Sequence, residues 1–186
     1  MLIKITIPFF LLSLLAMTTA VCAEKPRVVD NPAYQKWAGF EPGSYVKTKS
    51  VTEKEDSKSE VITETTLLEV YPNKVKLEVK TISNIDGKME ISEPQVVEHK
   101  SKMVKRNTSK SKVVEKGREV LTINEEEINT TWETRRTASG LIRTLTKTWE
   151  SNAIPGGIVQ SEMQINLAGA ETKTTLTLQD YKAEKK

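Results

Sequence analysis

The stretch Lys74-Val75-Lys76-Leu77-Glu78-Val79-Lys80-Thr81-Ile82 decides the fold. Val75, Leu77 and Val79 fall on one side of an extended chain, with Lys76, Glu78 and Lys80 on the other. That two-residue period belongs to a β-strand with one face covered and one face wet. The same reading extends outward. Val159, Ser161, Met163, Ile165 and Leu167 alternate with Gln160, Glu162, Gln164 and Asn166, and Leu176 and Leu178 alternate with Thr175, Thr177 and Gln179. Ile128, Thr130, Trp132 and Thr134 share one face of another run. Two further strands are expected near 45–52 and 60–70, linked through residues 55–58.

Turn signals separate these runs: Tyr71-Pro72-Asn73, Asp86-Gly87, Pro155-Gly156-Gly157 and Ala168-Gly169. In the third, proline pre-sets φ at the second turn position and glycine accepts positive φ at the next, the pattern of a type II turn. Short links of this kind imply an antiparallel meander of roughly eight or nine strands. No helical period lies between the strands, which argues against parallel βαβ units. One short helix is expected near 32–38, with Asn31 as its cap, Pro32 in its first position and Gly39 at its end. Tyr34 and Trp37 share a face of it, and a helix this short must dock on something to persist.

The chain has 186 residues, 28 basic against 25 acidic, for a net charge of +3. That near-balance argues against a nucleic-acid binder. Residues 1–23 read as a secretory signal peptide: Lys4 opens it, an apolar run follows from Ile5 to Met17, and Val21-Cys22-Ala23 closes it with small residues. The run is interrupted by Thr6, Pro8 and Ser13, and a membrane span needs about 20 apolar residues, so the protein is not expected to be transmembrane after cleavage. Cleavage after Ala23 removes Cys22, the one cysteine; the other reading of Cys22 is a lipid-attachment site. An exported chain without cysteine fits a bacterial periplasmic or extracellular protein. Beyond the leader, Leu, Ile, Val and Phe make up roughly a fifth of the residues, near the floor for a folded domain. A closed sandwich would use more. The expected architecture of the single domain over 24–186 is therefore all-β, or α+β if its short helix is counted: a strongly curved antiparallel β-meander forming a half-open barrel.

Two stretches carry a family resemblance. Trp37-Ala38-Gly39-Phe40-Glu41-Pro42-Gly43-Ser44-Tyr45-Val46 and Trp149-Glu150-Ser151-Asn152-Ala153-Ile154-Pro155-Gly156-Gly157-Ile158-Val159 resemble the opening and late motifs of uncharacterised exported bacterial proteins. The layout is similar to the lipoprotein localisation factor superfamily. The resemblance implies a periplasmic half-barrel whose concave face holds acyl chains. Carriers of that superfamily plug the barrel with several helices, whereas this sequence offers one, and their cavity arginine has no assignable counterpart here.

Catalytic signatures are missing. His99 is the one histidine and lies in a lysine-rich stretch, no Gly-x-Ser-x-Gly elbow or phosphate-binding glycine loop occurs, and Glu125-Glu126-Glu127 alternates in direction. The protein is read as no enzyme, with no metal and no cofactor. Trp37, Trp132, Trp149 and Met163 are the candidate ligand wall, and Pro155, Gly156 and Gly157 the turn beside it. Each has a plainer role available: helix docking for Trp37, strand core for Trp132, turn geometry for the Pro-Gly-Gly. The leading expectation is a non-enzymatic exported binding protein sheltering a lipid or other apolar small molecule on the concave face. The alternative is an interaction module without a cavity. Its motivation is the basic cluster Lys100, Lys102, Lys105, Arg106, Lys110, Lys112 and Lys116, which could meet an anionic surface.

Overall fold

The computed structural model describes residues 27–54, 57–85, 87–105 and 111–186. The expected leader at 1–23 with Cys22, and Arg106 and Lys110 of the basic cluster, lie outside the described residues.

The chain order is β1 (Val28–Asp30), α1 (Pro32–Ala38), β2 (Tyr45–Lys54), β3 (Ser57–Tyr71), β4 (Lys74–Ile85), β5 (Lys88–Ile91), β6 (Gln95–Lys100), β7 (Lys102–Val104), β8 (Ser111–Ile123), β9 (Glu126–Ser139), β10 (Ile142–Glu150), β11 (Ile158–Leu167) and β12 (Ala170–Lys182). All described pairings are antiparallel. The main sheet runs β5-β4-β3-β2-β12-β11-β10-β9-β8, with β6 also pairing β4, and β1 pairs β7 separately. The long strands β2, β3, β4, β9, β11 and β12 lie where the sequence pattern predicts strands, whereas β8 and β10 are long strands that it does not single out. The additional ones, β1, β5, β6 and β7, are three to six residues long, too short to show a period.

The helix forms where its punctuation predicts. The Asn31 side chain accepts from the Ala33 N–H at 3.1 Å, and Pro32 costs nothing in a turn whose N–H groups have no helical partner. Gly39 ends the helix in a right-handed conformation (φ −84°), so its glycine character is not spent on a left-handed cap.

The sheet is curved and does not close into a barrel. In a flat sheet, the four inter-strand steps from β12 to β8 would hold those strands roughly 19 Å apart. Here Asn124, in the β8–β9 turn, donates from Nδ2 to the carbonyl of Gln179 on β12. Register shifts supply part of the bending: Leu178 pairs Thr48 while Asp180 pairs Lys47, leaving Gln179 as an extra residue with its carbonyl free for Asn124. Others fall at Leu67/Glu69, Val113/Glu115 and Trp149/Glu150.

The core occupies one end of this sheet. Val46, Val75, Ile128 and Val159 lie in the first residues of their strands, and Leu67 and Leu178 lie near the ends of theirs. Antiparallel order brings all six to the same end, where Trp37, Phe40 and Ile154 join them. The Pro-Gly-Gly segment locks α1 there. Gly157 N–H returns to the Ile154 carbonyl at 3.0 Å, closing the turn with Gly156 at φ +76°. Gly156 N–H then donates to the Lys36 carbonyl at 3.1 Å, satisfying a helix-end acceptor. A Cβ on Gly156 would lie 3.2 Å from the Trp37 ring, and Lys36 Nζ meets Glu150 Oε1 at 2.5 Å. The two stretches that carry the resemblance thus touch each other.

Gly156→Ala forces a side chain onto a positive-φ residue pressed against an indole. It should cost about 1–3 kcal/mol, read as a lower urea midpoint with red-shifted tryptophan emission.

Burial, and a hydrogen bond to Glu126, push the Tyr181 phenol up to about 12 from its ordinary 10.0. Above pH 10 the unfolded phenol ionises while the folded one keeps its proton, so alkali favours unfolding. This contribution is complete below pH 10 and is lost as pH rises toward 12. Between pH 8 and pH 11 wild type should lose more stability than Tyr181→Phe, measured by urea unfolding at each pH.

Candidate functional site

Directly paired residues share a face of a sheet, so the register sorts the candidate side chains. One face carries α1. From Val46 it continues through Thr48, Ser50 and Thr52 on β2, Thr65, Thr63 and Val61 on β3, and Val79 and Thr81 on β4. In the other direction it runs through Leu176 and Thr174 on β12, Ser161 and Met163 on β11, and Thr148 and Thr146 on β10. Threonine places a methyl and a hydroxyl side by side, so this face is neither greasy nor fully polar. Some hydroxyls bond each other, as Thr52 does with Thr174 at 3.0 Å.

A cavity of about 260 Å³ opens where this face meets the core. Trp37, Val46, Leu77, Val79, Val97 and Leu176 line it, with His99, Pro155, Gly156 and Ile158 at its margin. It is below the 300–1,000 Å³ usual for a small-molecule pocket. It admits the end of an alkyl chain or a ring, and anything longer must lie along the open threonine face. The elements α1 packs against are β3, β4 and β6. The far halves of the strands carry no packed helix among the described residues.

The four candidate wall residues do not form one wall. Trp37 is 5% exposed and lines the cavity. Met163 pairs Thr146 and lies on the same face, further out. Trp132 and Trp149 pair directly with each other on the opposite face. There Lys147 Nζ lies 4.3 Å from each ring centroid, a cation–π contact with both. Trp149 Nε1 donates to Glu119 Oε2 at 2.9 Å. Gly117 pairs Trp132, and a Cβ there would fall 2.7 Å from the indole, so the ring lies flat over the glycine backbone. These contacts account for the pair as cross-strand packing, with Trp149 5% exposed. The Pro155, Gly156 and Gly157 turn borders the cavity through Pro155 and Gly156.

The basic cluster is divided between strands. Lys100 lies on β6 and Lys102 on β7, on the β4 side of the sheet, whereas Lys112 and Lys116 lie on β8 at the other edge. Lys102 pairs with Asp30. Glu125 falls in the β8–β9 turn at φ +69°, and no metal-binding group of three or more His, Cys, Asp or Glu occurs among the described residues. No described helix is long and apolar enough to cross a membrane.

No family model matches the chain, and no curated protein or solved structure is detectably similar to it.

Sequence reasoning missed Val97, His99 and Ile158 as cavity residues. Val97 and His99 sit on a strand too short to show a period, paired to Leu77 and Val75. The pairing of Trp132 with Trp149 left a usable signal: Gly140, at φ +59°, marks the turn between β9 and β10, and counting outward from it sets the two indoles opposite each other.

Gly117→Ala should cost about 1–3 kcal/mol by displacing the indole. In a Trp132→Ala background the same change should cost much less. A double-mutant cycle by urea unfolding checks both values.

Proposed function

We propose that the protein is a non-enzymatic, exported binding protein that shelters a lipid or other apolar ligand on the α1 face of its curved sheet. One observation carries this reading. The cavity beside Trp37 adjoins a face lined by Thr, Ser, Val, Leu and Met, and no helix among the described residues packs over its far strands. Burial of apolar surface supplies the driving force, at roughly 25 cal/mol per Å². The apolar end of the ligand enters between Val79, Val97 and Leu176, and threonine methyls flank the rest. Threonine hydroxyls, already able to pair among themselves, give the ligand's polar part partners without leaving a buried group unsatisfied when the site is empty.

The signal-peptide reading of residues 1–23 supports an exported compartment, and the resemblance read from Trp37–Val46 and Trp149–Val159 supports an apolar ligand. The cavity-free interaction module is less well supported, because its motivating lysines are divided between the two sides of the sheet and Lys102 is already paired.

Lipid extraction and mass spectrometry on the protein purified from a bacterial periplasm without detergent should yield a co-purified lipid or isoprenoid near one per chain. Leu176→Trp, which adds bulk to the cavity lining, should lower that yield at least several-fold while costing about 1–3 kcal/mol of stability, with a cooperative urea transition showing that the variant is folded. An empty wild-type protein that also fails to take up a fluorescent fatty acid would overturn the reading.

A further inference from the structure

The antiparallel order sends one set of hairpin turns to the end of the sheet opposite the core, and the β9–β10 turn there has an unusual make-up. From Arg135 to Lys147 the chain carries Arg135, Arg136, Arg143 and Lys147 and no Asp or Glu. At the tip, Leu141 is 75% exposed and Ile142 43%, and Leu167, paired with Ile142 from β11, is 52% exposed. Lys112 on β8 pairs Arg136 directly. Lys112, Arg136 and Arg143 form no ion pair among the described residues, while Arg135 is paired with Glu133. Arg136 and Arg143 border a shallow groove whose other polar residues are Thr137, Thr144, Gln164, Asn166 and Glu171. Glu171 is the one carboxylate in it.

We propose that this tip docks the protein on an anionic phospholipid bilayer, with Leu141 and Ile142 entering the interface and Lys112, Arg136 and Arg143 holding lipid phosphates. The argument is charge complementarity joined to exposed apolar side chains. A turn that presents two large aliphatics to water beside three unpaired cations and a single carboxylate, Glu171, lowers its free energy where hydrocarbon and phosphate lie a few ångströms apart. A protein partner would match apolar residues ringed by mixed charge. A soluble polyanion would use the cations but not Leu141. Two arginines on adjacent strands suit phosphate geometry, since each guanidinium can donate two parallel hydrogen bonds. The docking reading does not depend on what the α1 face holds.

The test is co-sedimentation of the periplasmically purified protein with vesicles of phosphatidylcholine alone and with 30 mol% phosphatidylglycerol, a composition of the order used to mimic anionic leaflets. Wild type should pellet with the anionic vesicles and bind the neutral ones at least tenfold more weakly, with binding weakening as salt rises. Arg136→Gln with Arg143→Gln should weaken binding about 30-fold, near 1 kcal/mol for each charge at the surface. Leu141→Asp should weaken it about tenfold or more. Lys100→Gln, on β6 at the other side of the sheet, should leave it unchanged. Urea midpoints equal to wild type show that each variant is folded. Wild type that stays in the supernatant overturns the proposal. So does a Leu141→Asp variant that binds as wild type does, or equal retention of wild type and that variant on a heparin column, which would mark a polyanion site instead.

Discussion

The contact of Gly156 with Trp37 is the constraint on which the rest of the structure depends. The chain has too few large aliphatics to cover both faces of a ten-stranded sheet, so its core is confined to one end. A seven-residue helix cannot persist alone. It is held because Gly156 donates to the Lys36 carbonyl, because Glu150 pairs with Lys36, and because the missing side chain at Gly156 lets the Trp37 ring close over the turn. The indole in turn seals the cluster around Val46, Leu77 and Ile154. A side chain at Gly156 would separate helix, turn and core together.

Confining the core to one end has a consequence for the other. The far halves of the strands must be stable while partly wet. Their cross-strand neighbours provide for this: Thr52 with Thr174 on the α1 face, and Lys49 with Glu60 at 2.8 Å elsewhere. Each exposed pair contributes only about 0.2–1 kcal/mol. Their use is local: they replace a packed second layer by self-satisfied rows, and an uncovered face results without orphaned polar atoms. No buried side-chain polar atom among the described residues lacks a partner.

Much of this was legible in the residues. Asn31, Pro32 and Gly39 bracket the helix, Val75, Leu77 and Val79 give β4, and Pro155-Gly156-Gly157 gives its turn. What was not legible depends on register and on contacts far apart in sequence. Trp132 and Trp149 alternate correctly within their own strands, yet the face they share is the one opposite Met163. Counting from Gly140 pairs the indoles, but no count from the Pro-Gly-Gly turn places Met163, because the register shifts between Trp149 and Glu150. One extra residue exchanges the faces of everything beyond it. His99 and Val97 lay hidden for a different reason, a six-residue strand whose partner is fixed by tertiary packing.

The arrangement also relates the two ends of the molecule. Ile142 and Leu167 at the far rim lie on the same face as Ile165, Met163 and Leu176, and Leu176 borders the cavity beside Trp37. Apolar side chains therefore recur from the exposed rim to the inner cavity along one face, interrupted by threonine and serine but by no charged residue on β10, β11 or β12 between those points. An apolar chain moving along this path would pass from methyl group to methyl group without desolvating an ion, whose burial costs far more than that of a hydroxyl. The same spacing keeps the empty face from becoming a continuous hydrophobic strip, which in a sheet with open edges would invite association between chains.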